Sequence, residues 1–332
     1  MIKLIFQQTL RHSIILLLLV ATGGYLLSSW VDSEIFAPPR KQLHHFHLER
    51  LKNPAEFGLH IRQHQCLQGR VPCMLVEPDA AAGPGKRGRI LREQLQARGV
   101  KLNPYGEVRA TLLMLHGRNG RKEILLPVAE RFVAAGFRCL IPDLPAHGES
   151  QAGRLSFGGS EAERRLPALV LLEMKQHFTL PDQPVALWGM SMGGAFAMSS
   201  ARESRLWSGL IVVSSFASLD DVLLNYVPSH YDKYADGMIG MLDIARWLQG
   251  KPTLSSIRPA KWAAEVDLPA LLVHGDNDVY VPMSQGKRLF RALRSQRKQW
   301  ITVPGGGHRN VLSTPMQLYA AMSEWLLRLF DA

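Results

Sequence analysis

From Ala110 onward the chain alternates between short apolar runs and longer segments of helical periodicity. The apolar runs fall at residues 111–115, 138–141, 185–188, 210–213, 270–274 and 299–303, separated by polar or glycine-containing turns. Runs this short, rich in Leu, Ile and Val, read as buried strands. Between them, apolar residues three and four apart mark helices at 121–135, 160–177, 192–204, 283–293 and 315–329. Strands alternating with helices predict an α/β domain, a mostly parallel sheet covered by helices on both faces. In such sheets the chemistry gathers at the carboxyl ends of the strands. Upstream, residues 58–77 read as opening antiparallel strands and residues 89–98 as a short helix. The stretch from Ser215 to Val266 is too long for a simple crossover and is rich in Tyr, Trp and Met.

A different pattern opens the chain. Ser13 to Val31 carries no charge and contains the run Ile14-Ile15-Leu16-Leu17-Leu18-Leu19-Val20. As a helix those residues would span about 28 Å, near the hydrocarbon thickness of a bilayer. Trp30 sits at the far end, where interfacial aromatics belong. No clear Ala-x-Ala site follows, so residues 1–32 are expected to form an uncleaved signal anchor, a cleaved signal peptide being the alternative. Lys3 and Arg11 on one side balance Arg40 and Lys41 on the other. Orientation is therefore read from size: a short tail inside, and a large single-pass domain outside the cytoplasm (periplasmic if the host is a bacterium). Cleavage would make it secreted instead. Residues 33–56, with His44, His45 and His47, read as a solvated linker, and residues 57–332 as the folded domain.

Composition changes this picture little. The 332 residues are 46% hydrophobic and 20% charged, an ordinary globular balance. The net charge of +11 is uneven: residues 1–110 hold 15 Lys/Arg against 8 Asp/Glu. That excess favours anionic surfaces such as phospholipid headgroups. No recognition helix, zinc-finger spacing or aromatic-and-basic platform points to nucleic acid, and no oligomeric state is implied. Of three cysteines, Cys139 lies in an apolar run and is expected to be a buried thiol. Cys66 and Cys73 would face each other if Gly69-Arg70 formed a two-residue hairpin turn, at a spacing compatible with a disulfide.

The chemistry is carried by Gly189-Met190-Ser191-Met192-Gly193, which follows the apolar Val185-Ala186-Leu187-Trp188 and opens a helical stretch. Gly-x-Ser-x-Gly between strand and helix is the nucleophile elbow, a sharp turn that lifts the serine oxygen above the sheet. A serine hydroxyl needs a base to take its proton, and the base needs an anion to orient it. Downstream come His274-Gly275-Asp276-Asn277-Asp278-Val279-Tyr280-Val281-Pro282 and then Val303-Pro304-Gly305-Gly306-Gly307-His308. Each offers its group just after an apolar run, in the order Ser, Asp, His.

With these motifs the chain resembles the α/β-hydrolase-fold serine hydrolases from about Ala110 to Phe330. The resemblance implies that Ser191 is the nucleophile and His308 the base. The family's His-Gly-x-x-Asp-x-x-Val-Pro pattern puts the acid on Asp278, with Asp276 as the rival. Backbone N–H groups of Met192 and of Arg118, in His116-Gly117-Arg118-Asn119-Gly120, would form the oxyanion hole. The Arg118 side chain could in addition meet an anionic substrate group. Asp143-Leu144-Pro145-Ala146-His147-Gly148-Glu149-Ser150 resembles the turn after the family's fourth strand, with His147 read as loop packing. His116 and His274 are read as strand-end residues. The insertion at about 216–266 would be a small cap over the site. The expected activity is cleavage of an ester-type bond, a carboxylic ester or thioester of a small or lipid-like acyl group, with no cofactor and no metal. The competing readings are a peptidase of the same fold and a non-catalytic, membrane-anchored binding or envelope protein.

Overall fold

The computed structural model describes residues 15, 22–26, 28–227, 229–314 and 316–331. Eight strands form one sheet in the order β1-β2-β4-β3-β5-β6-β7-β8. β1 (Leu59–Gln65), β2 (Val71–Pro78) and β4 (Phe137–Pro142) pair antiparallel in turn; β3 (Ala110–Leu115), β5 (Val185–Met190), β6 (Gly209–Val213), β7 (Ala270–Gly275) and β8 (Lys298–Val303) complete a parallel array with β4. The central strands are buried along their length, apart from the half-buried Met190 at the end of β5, which is why they read as unbroken apolar runs. The alternation of side chains splits the core into two layers, one on each face of the sheet.

Helices cover both faces. They are α1 (His45–Lys52), α2 (Lys86–Ala97), α3 (Leu126–Ala134), α4 (Glu161–His177), α5 (Met192–Glu203), α6 (Leu219–Leu224), α7 (Asp232–Leu248), α8 (Pro259–Ala263), α9 (Met283–Ala292) and α10 (Leu318–Phe330). The predicted helix at 121–135 begins as a 3-10 turn, Lys122–Leu125, because Pro127 fits only the first turn of the α-helix that follows. The insertion between β6 and β7 holds α6, α7 and α8.

Two expectations meet a different structure. Cys66 and Cys73 form no disulfide; both are free and buried. The turn between β1 and β2 spans residues 67–70, with Leu67 and Gln68 left-handed at φ 53° and 60°. The longer turn shifts the register, so that Cys66 lies across from Val71 and Cys73 from His64. Residues 33–56, expected as a solvated linker, are folded onto the domain. Phe36 is buried, its carbonyl accepts from Leu155 N–H at 2.8 Å, and its ring packs edge-on against Phe157. Arg40 donates to the carbonyls of Gly148 and Ser150, and His47 is buried on α1. Most of the predicted anchor, residues 1–32, lies outside the described residues. Among the described residues no helix is long and apolar enough to cross a membrane.

Candidate active site

Ser191 stands alone between the last residue of β5 and the first of α5, at φ 54° and ψ −119°. A non-glycine residue held there stores roughly 1–3 kcal/mol of strain, which its surroundings must enforce. They do so from both sides. Ser191 N–H donates to the Val213 carbonyl at 2.8 Å, and Ser215 Oγ donates to the Ser191 carbonyl at 2.8 Å. The glycines of the motif make the approach possible. A β-carbon on Gly189 would collide with the Gly193 carbonyl, and one on Gly193 with the Leu115 carbonyl at the end of β3.

The loop after β8 delivers His308. Its Nε2 lies 2.9 Å from Ser191 Oγ and its Nδ1 lies 2.7 Å from Asp278 Oδ2. The Asp278 side chain is fully buried. Its other oxygen accepts from Tyr280 N–H at 3.1 Å and Val281 N–H at 2.8 Å. These bonds fix the orientation of the carboxyl group. Asp276, the rival acid, is exposed and accepts instead from Gly305 N–H at 2.7 Å, tethering the glycine-rich loop that carries His308. His274 lies 3.6 Å from Asp278, with its Nε2 2.8 Å from the Val281 carbonyl. Burial lowers its pKa, so it is a neutral packing residue.

Gly117 rests against the nucleophile: a β-carbon placed on it would lie 3.5 Å from Ser191 Cβ. The next residue is Arg118. Neither the Arg118 N–H nor the Met192 N–H has a hydrogen-bond partner among the described residues. Two histidines hold this loop. His116 Nε2 accepts from Leu144 N–H at 3.1 Å while Nδ1 donates to the Gly117 carbonyl. His147 Nε2 accepts from Asn119 N–H at 3.1 Å while Nδ1 donates to the Pro145 carbonyl. Each imidazole accepts at one nitrogen and donates at the other, so each is neutral. Burial drives both pKa values down to about 4. The Arg118 guanidinium points to the N-terminal segment and donates to the Glu34 carbonyl; burial lowers its pKa.

Sequence reasoning expected an aromatic-rich cap but did not single out the rings that border the site. Tyr280 faces the His308 ring at 6.0 Å between centroids, and Tyr226 from the insertion packs on Tyr280 at 6.1 Å. In the sequence Tyr226 stood only as one of several aromatics in the insertion expected to cap the site, and Tyr280 as a variable position inside the Asp278 motif. Elsewhere, His64, Cys66 and Glu173 bring ligand-type atoms within 4.8 Å of one another. Both Glu173 oxygens are already engaged, by His64 and by Leu67 N–H.

Comparison with known proteins bears on the family and the fold. The chain is 27% identical to the protein bem46 of Schizosaccharomyces pombe over 207 residues, covering 61% of this chain and 63% of that one. It is 25% identical to the protein YqkD of Bacillus subtilis over 198 residues, covering 59% and 64%. It thus spans less than two thirds of either relative. Its backbone is similar to that of a Pyrococcus furiosus esterase, with a TM-score of 0.61 at 16% identity over 87% of this chain and 96% of the esterase. The alpha/beta hydrolase family pattern matches residues 112–322, a span that takes in Arg118, Ser191, Asp278 and His308, and the chain belongs to that family.

Proposed function

We propose that the protein is a serine hydrolase that cleaves an ester-type bond through an acyl-enzyme. Ser191 Oγ attacks the carbonyl carbon as His308 Nε2 takes its proton. Asp278 holds the resulting imidazolium in line and offsets its charge. The N–H groups of Met192 and Arg118 receive the oxyanion. Collapse of the tetrahedral intermediate expels the alcohol or thiol, which leaves with the proton from His308. Water, deprotonated in turn by His308, then attacks the acyl group and frees the acid. The observation that carries this reading is the unbroken chain of contacts, 2.9 Å from serine to imidazole and 2.7 Å from imidazole to a buried carboxylate. The Tyr280 ring beside His308, with Tyr226 packed on it, suits an apolar acyl group.

Replacing Ser191 by Ala tests it. Turnover of a short p-nitrophenyl ester should fall at least about a thousandfold with the melting temperature kept; undiminished turnover would overturn the assignment. The uncharged segment from Ser13 to Val31 is proposed as a single-pass anchor that holds this domain outside the cytoplasm. Membrane fractions that release the intact chain on carbonate washing would argue against it.

A further inference from the structure

The helix α7 is built inside out. Two of its charged residues turn toward the protein, while Lys233 and Asp236 stay exposed: Asp243 accepts from Leu254 N–H and Ser255 N–H, and Arg246 is buried against Asp32 and the Pro252 carbonyl. Ala235, Ile239 and Leu242 share that inner face. The outer face carries Tyr234, Met238, Met241, Ile244, Trp247 and Leu248, all exposed, with Trp247 at 70% and Leu248 at 72%. At 100° per residue Tyr234, Met238, Met241, Ile244 and Leu248 form one continuous stripe. A helix apolar on both faces is ordinarily enclosed by protein or by lipid. Six large side chains left in water are an unclaimed driving force for burial.

What would cover the stripe is indicated by its neighbour. Asp32 is buried and ion-paired with Arg246 of α7, with Lys251 just beyond the helix and with Arg154. Arg246 also stacks over Phe36, 3.5 Å from the ring centroid. The same chain leads directly back from Asp32 into the uncharged sequence Ser13 to Val31. Tyr25, Leu26 and Trp30, immediately before the clamp, are exposed. The clamp therefore locks the end of α7 that bears Trp247 and Leu248 to the point where the proposed anchor would leave the membrane. Lys233, exposed at the start of α7 over the Tyr234 ring, offers a cation to anionic headgroups.

We infer that the outer face of α7 is a membrane-docking surface, seated in the interfacial region of the bilayer in the manner of an amphipathic helix. The anchor supplies attachment, and α7 with its clamp sets the orientation. The insertion that carries α7 also carries Tyr226, which borders the candidate site through Tyr280, so the element that meets lipid also edges the site. This inference rests on the proposed anchor.

The test uses the full chain on vesicles of phosphatidylcholine and phosphatidylglycerol. A Met241→Cys variant carries an NBD label, with Gln96→Cys on α2 as control; both positions are exposed and the three native thiols are buried. On vesicles that float with the protein, acyl-chain nitroxide lipids should dim the label at 241 about twofold or more, with a blue shift, and leave the label at 96 unchanged. A floating chain whose label at 241 stays as wet as that at 96 overturns the docking surface and keeps the anchor. A chain that does not float loses both. Protection at 241 that needs no lipid and grows with protein concentration assigns the face to a second copy of the chain.

Discussion

The neutral histidines that hold the loop next to Ser191 make a quantitative prediction about acid. His147 is buried, accepts from Asn119 N–H and donates to the Pro145 carbonyl; burial holds its pKa at about 4, against 6.5 in the unfolded chain. The folded state thus refuses a proton that the unfolded chain accepts. Stability from this group is complete above the unfolded pKa and is lost as pH falls from about 6.5 toward about 4. Each pH unit in that window costs about 1.4 kcal/mol, so His147 should remove about 2 kcal/mol by pH 5 and about 3 kcal/mol by pH 4. His116 adds a loss of the same sign. Glu163 works against them. Burial pushes its pKa up to about 7, so it contributes stability in acid that fades as pH rises from about 4.5 to about 7. A comparison isolates His147. The variant His147→Gln keeps an acceptor for Asn119 and has no titration, while His116 and Glu163 remain in both chains. Urea unfolding from pH 7 to pH 5 should show the wild type losing about 2 kcal/mol relative to the variant. A difference between the two that stays constant with pH would refute the assignment of His147 as a buried neutral pin.

Three further outcomes follow from the same geometry. Asp278→Asn should lower kcat by about a thousandfold to ten-thousandfold, because the imidazole loses its orienting anion. Asp276→Asn, which only loosens the tether to Gly305, should cost less than about tenfold in kcat, and equal losses from the two would contradict Asp278 as the sole acid of the site. Gly193→Ala should destabilise the fold by about 3 kcal/mol or more, since its β-carbon meets the Leu115 carbonyl and backbone cannot step aside; a melting temperature within a degree or two of wild type would contradict that contact. Asp32→Ala leaves buried Arg246 without its carboxylate, and the segment 28–40 should become readily cleaved by protease while the sheet resists; unchanged digestion would show the clamp to be dispensable.

The parallel strands and the site motifs were legible for one reason: both depend on local sequence. A strand buried on both faces must be apolar throughout, and Ser191 can sit at its turn only with glycines at 189 and 193, so residues and geometry imply each other. The choice between Asp278 and Asp276 needed more. Spacing offers both, and what separates them is a partner 29 or 30 residues away, Gly305 for one and His308 for the other. The packed segment 33–56 was hidden for a similar reason. It is polar and short of apolar residues, and its ties run to Leu155, Gly148, Ser150 and Glu130, far along the chain. Reading Gly69-Arg70 as a two-residue turn failed because Leu67 and Gln68 adopt left-handed backbone, which nothing in their side chains announces. The inverted face of α7 was visible only as an unusual abundance of Tyr, Trp and Met; which face looked outward depended on Asp32 meeting Arg246.

The most direct measurement is the site of covalent capture. The protein is treated with a fluorophosphonate, digested and mapped by mass spectrometry, with residual esterase activity followed in parallel. An activated hydroxyl at Ser191 predicts one phosphonyl adduct on the peptide bearing Ser191, growing in step with the loss of activity and nearly absent in His308→Ala. Full inactivation with the adduct on another residue, or equal labelling of the His308→Ala chain, would contradict the proposal that His308 and Asp278 activate Ser191.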